Sequence, residues 1–284
     1  MPEKNPLIKP YLKWAGGKRQ LLPEIRKYFP ANINTYYEPF AGAGAALFDL
    51  QPERAVINDK NPDLIMTYRV IQNDIEGLLA ALEQYRDKYE KSFYYEVRAL
   101  DRTDAYRDMT DSEKAARFIY MNKTCYNGLY RVNKGGFFNV PFGKYRNPAI
   151  FEEPVLRAVH HFLNSNSITI LNDDFAAAVI NADEHSFIYF DPPYHPFKKS
   201  SFTAYQAGGF GEDEQTRLRD VFLELTERGV PCLLSNSDTP FIRELYRDKG
   251  FDIISVSANR AINSAVGGRG KIGEVLIRNR LLPG

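Results

Sequence analysis

The fold is most constrained by an apolar segment that runs directly into a turn of small residues. Residues 35–40 have the composition of a β-strand, and residues 41–48 (AGAGAALF) form a turn that opens a helix. This pattern is typical of the first strand and nucleotide loop of a doubly wound α/β sheet. The third glycine of the dinucleotide fingerprint is replaced by Leu47, so the pattern disfavours NAD.

A second apolar strand, residues 55–57, ends in Asn58 and Asp59. An acid at this point is placed to accept hydrogen bonds from ribose hydroxyls. The small residues Ala41 and Gly42 allow a ligand to lie against the main chain near a helix N-terminus. These features predict an adenosyl ligand without a pyrophosphate, and the alternative is a glycine turn beside an ordinary strand-end acid.

An aromatic and basic patch precedes this region at residues 11–19, YLKWAGGKR. Its glycines permit close backbone approach, and Lys13 and Lys18 suit an anionic or carboxylate partner. The patch lacks the spacing and the terminal Ser or Thr of a P-loop. A surface turn with solvated lysines is the alternative.

A second candidate site follows the apolar run at residues 187–190, which predicts a buried strand. The next residues are Asp191, Pro192, Pro193 and Tyr194. Ligands bind at the carboxyl ends of strands in open α/β sheets, and prolines fix the backbone while leaving carbonyl oxygens free to accept. A carboxylate, a carbonyl and a ring suit a planar group that carries an amine. A strand-ending turn without function is the alternative.

Charge is sorted along the chain, although the formal net charge is only +1. Residues 72–113 hold 11 acids and 6 bases, whereas residues 114–151 hold seven bases, nine aromatic residues and no acid. Within the latter stretch, residues 122–144 predict a glycine-tipped ribbon. Such a ribbon suits nucleic acid, with lysines on phosphates and amide or guanidinium groups on base edges. A basic surface hairpin without function is the alternative.

The alternation of strands and helices is interrupted after residue 61 by helical spacing, for example at Ile75, Leu78 and Leu82. We therefore predict a doubly wound Rossmann-like α/β fold with an inserted, mostly helical domain that carries a β-hairpin. The catalytic domain is expected to be discontinuous, at residues 1–61 and 156–284. The inserted recognition domain is expected at residues 62–155.

Two glycine-containing polar segments are candidates for further roles. Residues 198–211 form a long polar loop after Tyr194, which predicts a lid. Residues 259–271 are glycine-rich and basic, and they either clamp a phosphate backbone or form a surface turn.

Composition argues against several classes of protein. Cys125 and Cys232 lie far apart and share no metal-ligand spacing with the four histidines, so reduced thiols and no metal are expected. No apolar run approaches 18 residues, and the first ten residues contain no apolar signal core. We therefore expect a cytoplasmic monomer with no membrane span.

Together these segments resemble the Dam-type adenine-specific DNA methyltransferases, in particular the GATC-modifying methylases of the DpnII kind. The resemblance covers nearly the whole chain, and the order of the motifs is also that family's order: methyl-donor loop, recognition segment, tetrapeptide. It rests on residues 13–18, 38–44, 58–59, 127–129, 139–143 and 191–194.

The resemblance implies transfer of a methyl group from S-adenosylmethionine to the exocyclic amine of an adenine flipped out of double-stranded DNA. It further implies a GATC target and a place in a restriction-modification system. The implied catalytic residues are Asp191, Pro192 and Tyr194. The implied donor-binding residues are Trp14, Ala15, Gly16, Lys18, Glu38, Phe40, Ala41, Gly42, Asp59, Asp174, Phe175 and Asp191. The implied DNA-binding residues are Lys13, Tyr126, Asn127, Leu129, Arg131, Lys134 and Pro141, with Arg131 matching the guanine-contacting arginine.

Two other functions remain open on the sequence alone. One is a methyltransferase acting on a cytosine or protein glutamine amine, since such enzymes use related tetrapeptides with Ser or Asn in the first position. The other is a DNA-binding regulator without catalysis, which would keep the ribbon but have no need of a methyl-donor loop.

Overall fold

A computed structural model describes residues 4–14, 18, 21–197, 209–258 and 272–282. Ala15, Gly16, the segment 259–271 and most of the predicted lid lie outside the described residues. The chain divides into two compact units. The first comprises Met1–Gly17, Ala41–Gln51 and Asp59–Asn172, and the second comprises Lys18–Phe40, Pro52–Asn58 and Asp173–Gly284. The predicted inserted domain at residues 62–155 remains a prediction.

Helices and strands alternate along much of the chain. In chain order they are α1 (Leu22–Ile25), β1 (Thr35–Glu38), α2 (Ala45–Leu50), β2 (Arg54–Asn58), α3 (Pro62–Asn73), α4 (Ile75–Glu83), α5 (Lys91–Ala99), α6 (Asp104–Asp108), α7 (Asp111–Thr124), α8 (Glu153–Ser165), β3 (Ser167–Leu171), α9 (Phe175–Ala178), β4 (Ser186–Phe190), α10 (Glu212–Glu227), β5 (Cys232–Ser237), α11 (Pro240–Tyr246), β6 (Asp252–Ala258) and β7 (Ile272–Arg278).

The described strands of the second unit form a sheet in the order β2-β1-β4-β5-β7-β6. Strand β1 is parallel to β2 and β4, and β4 is parallel to β5. Strand β7 is antiparallel to both β5 and β6. Because β1 has β2 on one side and β4 on the other, the strand order reverses at this point, where ligands bind in such sheets. The predicted doubly wound Rossmann-like fold is confirmed.

Strand β4 lies at the centre of the second unit, which explains its continuous apolar sequence. All five of its residues are buried. Phe190 and Ile188 belong to a core cluster with Leu234 of β5 and Phe222 of α10. The chain leaves the sheet immediately after Phe190, so Asp191 stands at the carboxyl edge beside the ends of β1 and β5.

The first unit is mainly helical, and its helices begin at well-defined caps. The Asn61 side chain accepts a hydrogen bond from the Leu64 N–H at the start of α3. At the start of α7, Thr110 and Glu113 form a reciprocal capping box. Among the described residues, no helix has the length and apolar composition required to cross a membrane.

Candidate active site

Asp191 is the centre of a buried polar cluster in the second unit. Its Oδ1 lies 2.8 Å from Nζ of Lys18 and accepts a hydrogen bond from the Ser235 hydroxyl, also at 2.8 Å. Burial raises the pKa of the Asp191 carboxyl group, and Lys18 and Ser235 oppose that rise. Burial alone would lower the pKa of Lys18, but Asp191 and Tyr194 raise it above its ordinary value. The cluster therefore holds Lys18 as a cation against the carboxylate.

Tyr194 places an aromatic ring in the same cluster. The Lys18 ammonium lies 4.2 Å from the centre of this ring, a distance typical of a cation–π contact. The Tyr194 hydroxyl donates a hydrogen bond to Oε2 of Glu274 at 3.1 Å, and Glu274 is only 3% exposed. The ring is thus held from its hydroxyl end as well as from its backbone.

The backbone of the tetrapeptide is held by buried polar side chains of α10 and β5. Gln215 Nε2 donates to the Pro193 carbonyl at 2.8 Å, and the Asn236 amide nitrogen donates to Gln215 Oε1 at 3.0 Å. The His195 N–H in turn donates to Asn236 Oδ1 at 3.0 Å. No described residue donates a hydrogen bond to the Pro192 carbonyl. The two proline carbonyls therefore differ. The Pro193 carbonyl accepts a hydrogen bond from Gln215, whereas the Pro192 carbonyl remains available to accept one from a ligand.

Other predicted donor-binding residues of the second unit lie near the end of β1 and at the start of α9. Glu38 is 3% exposed and accepts a hydrogen bond from the Tyr36 hydroxyl at 3.1 Å. The rings of Phe40 and Phe175 have centres 5.3 Å apart. Asp174 forms a two-pronged ion pair with Arg217, with contacts of 2.8 and 2.6 Å.

The Arg217 guanidinium also covers one side of the predicted adenine-contacting residue Phe175. It lies 4.1 Å from the centre of the Phe175 ring, whose residue is only 4% exposed. The predicted donor-binding role of Asp174 and Phe175 remains a prediction. The structure adds that both side chains already have a partner in Arg217.

The small-residue turn of the first unit is built around Gly42. Its φ is +50°, and a Cβ atom added there would lie 2.8 Å from Cδ1 of Trp14. The Gly42 N–H donates to Oδ2 of Asp59 at 3.0 Å, and its carbonyl accepts from the Tyr68 hydroxyl at 3.0 Å. Burial raises the pKa of Asp59, whereas backbone N–H groups, including that of Gly42, oppose the rise. Trp14, Gly42 and Asp59 are thus brought together, with Ala41 buried beside them.

The predicted ribbon of the first unit contains two isolated bridges and no regular strands. Cys125 pairs with Phe142, and Val132 pairs with Phe138, both in antiparallel fashion. At the tip, Asn133 Oδ1 accepts from two backbone N–H groups, and Gly136 adopts a φ of +80°. A glycine-tipped turn is therefore present, but the flanking segments pair only locally.

Lys13 is joined to the base of the ribbon. Its N–H donates to Asn122 Oδ1 at 2.8 Å, and the Asn122 amide nitrogen donates to the carbonyls of Lys13 and Gly128. The Lys13 ammonium lies 3.5 Å from the centre of the Tyr145 ring. Burial lowers the pKa of Lys13. This predicted DNA contact is therefore half-buried and held in place.

The other predicted DNA-binding residues offer accessible surface on the ribbon. Arg131 is exposed, and its Nε donates to the Asn139 side chain at 2.6 Å while Nη2 reaches the Asn139 carbonyl at 3.2 Å. Asn127 has a left-handed φ of +54°. The remaining members are also exposed, namely Tyr126, Leu129, Lys134 and Pro141.

Sequence reasoning missed the residues that hold the site from distant positions. The sequence patterns alone indicate no role for Glu274, Gln215 or Asn122. They also do not indicate that Arg217 is the partner of Asp174. Glu274 could have been found from the sequence, because it is an acidic residue directly before the apolar run Val275–Ile277.

The described residues contain no group of three or more His, Cys, Asp or Glu side chains that would hold a metal ion.

The family model of the D12 class N6 adenine-specific DNA methyltransferases matches residues 14–262. The chain belongs to this family of adenine-specific DNA methyltransferases. The membership confirms the resemblance noted from the sequence motifs. It also decides against a cytosine or protein amine as the target and against a regulator without catalysis.

Individual relatives match the chain over nearly its full length. The type II methyltransferase M1.LlaDCHI of Lactococcus lactis subsp. cremoris is 43% identical over 98% of both chains. The type II methyltransferase M.MjaIII of Methanocaldococcus jannaschii is 44% identical over 96% of this chain and 99% of its own. The DNA adenine methylase of Escherichia coli K12 is 34% identical over 94% of this chain and 93% of its own.

Proposed function

We propose that this methyltransferase transfers a methyl group from S-adenosylmethionine to the N6 amine of the adenine in GATC. We further propose that it is the modification enzyme of a restriction-modification system. Two relatives that match nearly the whole chain are named type II methyltransferases, which supports the second part. The acid-free ribbon with its exposed Arg131 supports sequence-specific contact with DNA.

The proposal depends chiefly on the arrangement of groups that follow β4. A carboxylate, an available carbonyl and an aromatic ring, from Asp191, Pro192 and Tyr194, lie on one short segment that part-buried hydrogen bonds hold in place. An adenine amine has two N–H groups, which would donate hydrogen bonds to the carboxylate and the carbonyl, while the ring stacks on the base. Extruding the base costs about a few kcal/mol, part of which stacking on Tyr194 restores.

The mechanism requires little covalent chemistry from the protein. When bound, S-adenosylmethionine supplies an electrophilic methyl group attached to a sulfonium. The adenine amine is a weak nucleophile because its lone pair is delocalised into the ring. Hydrogen bonds from both amine protons favour a pyramidal nitrogen whose lone pair is free to form the bond to the methyl carbon as the carbon–sulfur bond breaks. Asp191 would stabilise the positive charge that develops on the nitrogen, which then loses one proton to leave the methylated amine. The Lys18 ammonium, 2.8 Å away, favours the charged form of Asp191 and opposes the rise in its pKa that burial causes.

The residues of the small-residue turn fit an adenosyl donor. Gly42 offers a backbone surface without a side chain, packed against the Trp14 indole. A carboxylate has about four acceptor positions, and Asp59 uses one oxygen for the Gly42 N–H and the other for the Asn61 N–H. Asp59 would therefore accept from ribose hydroxyls without losing its hold on the turn.

Gly42→Ala is expected to weaken donor binding tenfold or more, which corresponds to about 1.4 kcal/mol. The new methyl group would displace the Trp14 indole, because the gap is only 2.8 Å. The left-handed backbone also costs roughly 1–2 kcal/mol of folding stability. The measurements are calorimetric titration with S-adenosylmethionine and thermal unfolding.

Gly250→Ala is the matched control for this prediction. Gly250 has a φ of +79°, but a Cβ atom there would have no neighbour within 4 Å. The Gly250→Ala variant should therefore lose a similar amount of folding stability and bind S-adenosylmethionine as tightly as the wild type. Equal donor affinity in both variants would argue against the proposed role of Gly42.

The proposed function is tested by incubating the protein with labelled S-adenosylmethionine and duplexes that differ at each position of GATC. Label should enter only the intact GATC duplex, at the adenine N6 position. DNA from cells that produce the protein should also resist a GATC-cleaving nuclease. Incorporation that is indifferent to GATC would refute the specificity, and absence of N6-methyladenine would refute the reaction.

A further inference from the structure

Glu274 occupies an unusual position for an acidic side chain. It lies on β7 opposite Ser237 of β5, and it is only 3% exposed. The next three residues of β7, Val275–Ile277, are all fully buried and apolar. A buried carboxylate costs free energy unless hydrogen bonds or an opposite charge compensate it. Sheet formation alone would be served equally well by an apolar residue at this position.

One partner of Glu274 in the site is Tyr194. The Tyr194 hydroxyl donates to Oε2 of Glu274 at 3.1 Å, and the ring faces the Lys18 ammonium. Two carboxylates, Asp191 and Glu274, therefore face the cluster that contains one buried cation, Lys18. Glu274 thus connects the antiparallel part of the sheet to the aromatic ring of the tetrapeptide.

We propose that Glu274 is a positioning residue that fixes the plane of the Tyr194 ring against which the target adenine stacks. The proposal rests on the proposed function, in which Tyr194 receives the extruded base. Pro192 and Pro193 restrict the backbone on one side of the ring, and the Glu274 hydrogen bond restrains the opposite end. A ring held at both ends presents a fixed face, so the adenine amine meets Asp191 and the Pro192 carbonyl in one orientation.

A positioning role has kinetic consequences that differ from those of a stabilising role. Loss of the bond would leave stacking possible but in several orientations, so turnover should fall more than DNA binding. Because the proposed role acts through the Tyr194–Glu274 hydrogen bond, Glu274→Ala and Tyr194→Phe should cause similar losses. Their effects should not add in the double variant, since residues that share one interaction are coupled.

The experiment compares Glu274→Ala, Glu274→Gln, Tyr194→Phe and the double variant, using the full chain. Glu274→Ala and Tyr194→Phe should lower kcat on the order of 10- to 100-fold, as expected for a small misplacement of reacting groups, with KM for DNA changing less. Glu274→Gln should restore most of the turnover, because the amide carbonyl still accepts the hydroxyl proton. The double variant should resemble either single variant.

A spectroscopic measurement follows the ring directly. A duplex with 2-aminopurine at the target adenine reports stacking, because its emission is quenched when the base stacks on an aromatic ring. The complex of Glu274→Ala should emit more strongly than the wild-type complex, and that of Glu274→Gln should match the wild type. Asp252→Ala is the control, because Asp252 of β6 pairs with Arg278, which lies on β7 four residues after Glu274. It should leave both kcat and the emission unchanged.

The outcomes separate this inference from the proposed function. If wild-type protein methylates no adenine in GATC, the proposed function fails, whatever the variants do. If the wild type is active and both Tyr194→Phe and Glu274→Ala retain its kcat and emission, only the role of Glu274 is overturned. Should Glu274→Ala fail to fold, Tyr194→Phe and Glu274→Gln decide the question, and wild-type kcat and emission for Tyr194→Phe would overturn it.

Discussion

Replacement of Asp191 by Ala is expected to reduce methyl transfer by on the order of 10³-fold, while sequence-specific DNA binding remains measurable. The change removes the acceptor that is proposed to face the amine where positive charge develops, and loss of one such group typically costs about 10²- to 10³-fold in turnover. The tetrapeptide lies apart in sequence from the ribbon that is proposed to recognise DNA. Labelled methyl incorporation and an electrophoretic binding assay measure the two properties separately.

The same substitution also leaves Lys18 buried without its counterion, because that side chain is only 6% exposed. Breaking a buried pair in this way destabilises a protein by about 3–5 kcal/mol. Asp191→Asn also removes the charge, but it keeps the shape and an oxygen that can accept hydrogen bonds from Lys18 and Ser235, so it is the better folded companion. Ser235→Ala is the control, because it removes a hydrogen bond to Asp191 and keeps the carboxylate. Near wild-type turnover in both Asp191 variants would remove the proposed mechanism.

Arg131→Ala is expected to relax discrimination at one guanine of the target by roughly 1–3 kcal/mol. Arg131 is exposed, and Asn139 holds its guanidinium through two contacts, so the side chain is ordered before it meets DNA. The guanidinium has five donors, which leaves capacity for the two acceptors of a guanine edge. Initial rates on duplexes with single substitutions at each position measure the loss.

Lys134→Ala provides the comparison on the same ribbon. Lys134 is exposed at the glycine-containing tip and is expected to contact phosphate, so its loss should weaken binding to all duplexes alike. The slope of log affinity against log salt concentration should become shallower by about 1. If Arg131→Ala preserved the wild-type preference among duplexes, the assignment of Arg131 to guanine would be wrong.

The sequence predicted the strands that position the site, because each is an apolar run ended by polar or small residues. Strand β3 was predicted with its observed bounds, and β4 begins one residue earlier than predicted. The predicted helix at residues 20–28 is shorter, since α1 covers only Leu22–Ile25 before a tighter turn. Helix α7 gave no clear amphipathic pattern, because ten of its 14 residues are buried.

The partners of the site residues were less accessible to prediction. Lys18 and Asp191 are separated by 173 positions in the chain, and Tyr194 and Glu274 by 80. Neither pair follows a local spacing rule, because contacts across a sheet depend on strand order. The motifs predict which residues carry the chemistry, whereas the tertiary structure shows which buried side chains contact some of them.

The most direct test of the central claim asks which residue receives the extruded base. A GATC duplex with 5-iodouracil in place of the target adenine would be irradiated in complex with the protein, and the crosslinked peptide identified by mass spectrometry. The proposed function predicts a crosslink to Tyr194, and a marked loss of it in Tyr194→Ala. A crosslink confined to residues outside the segment 191–195 would contradict the claim that this pocket binds the adenine.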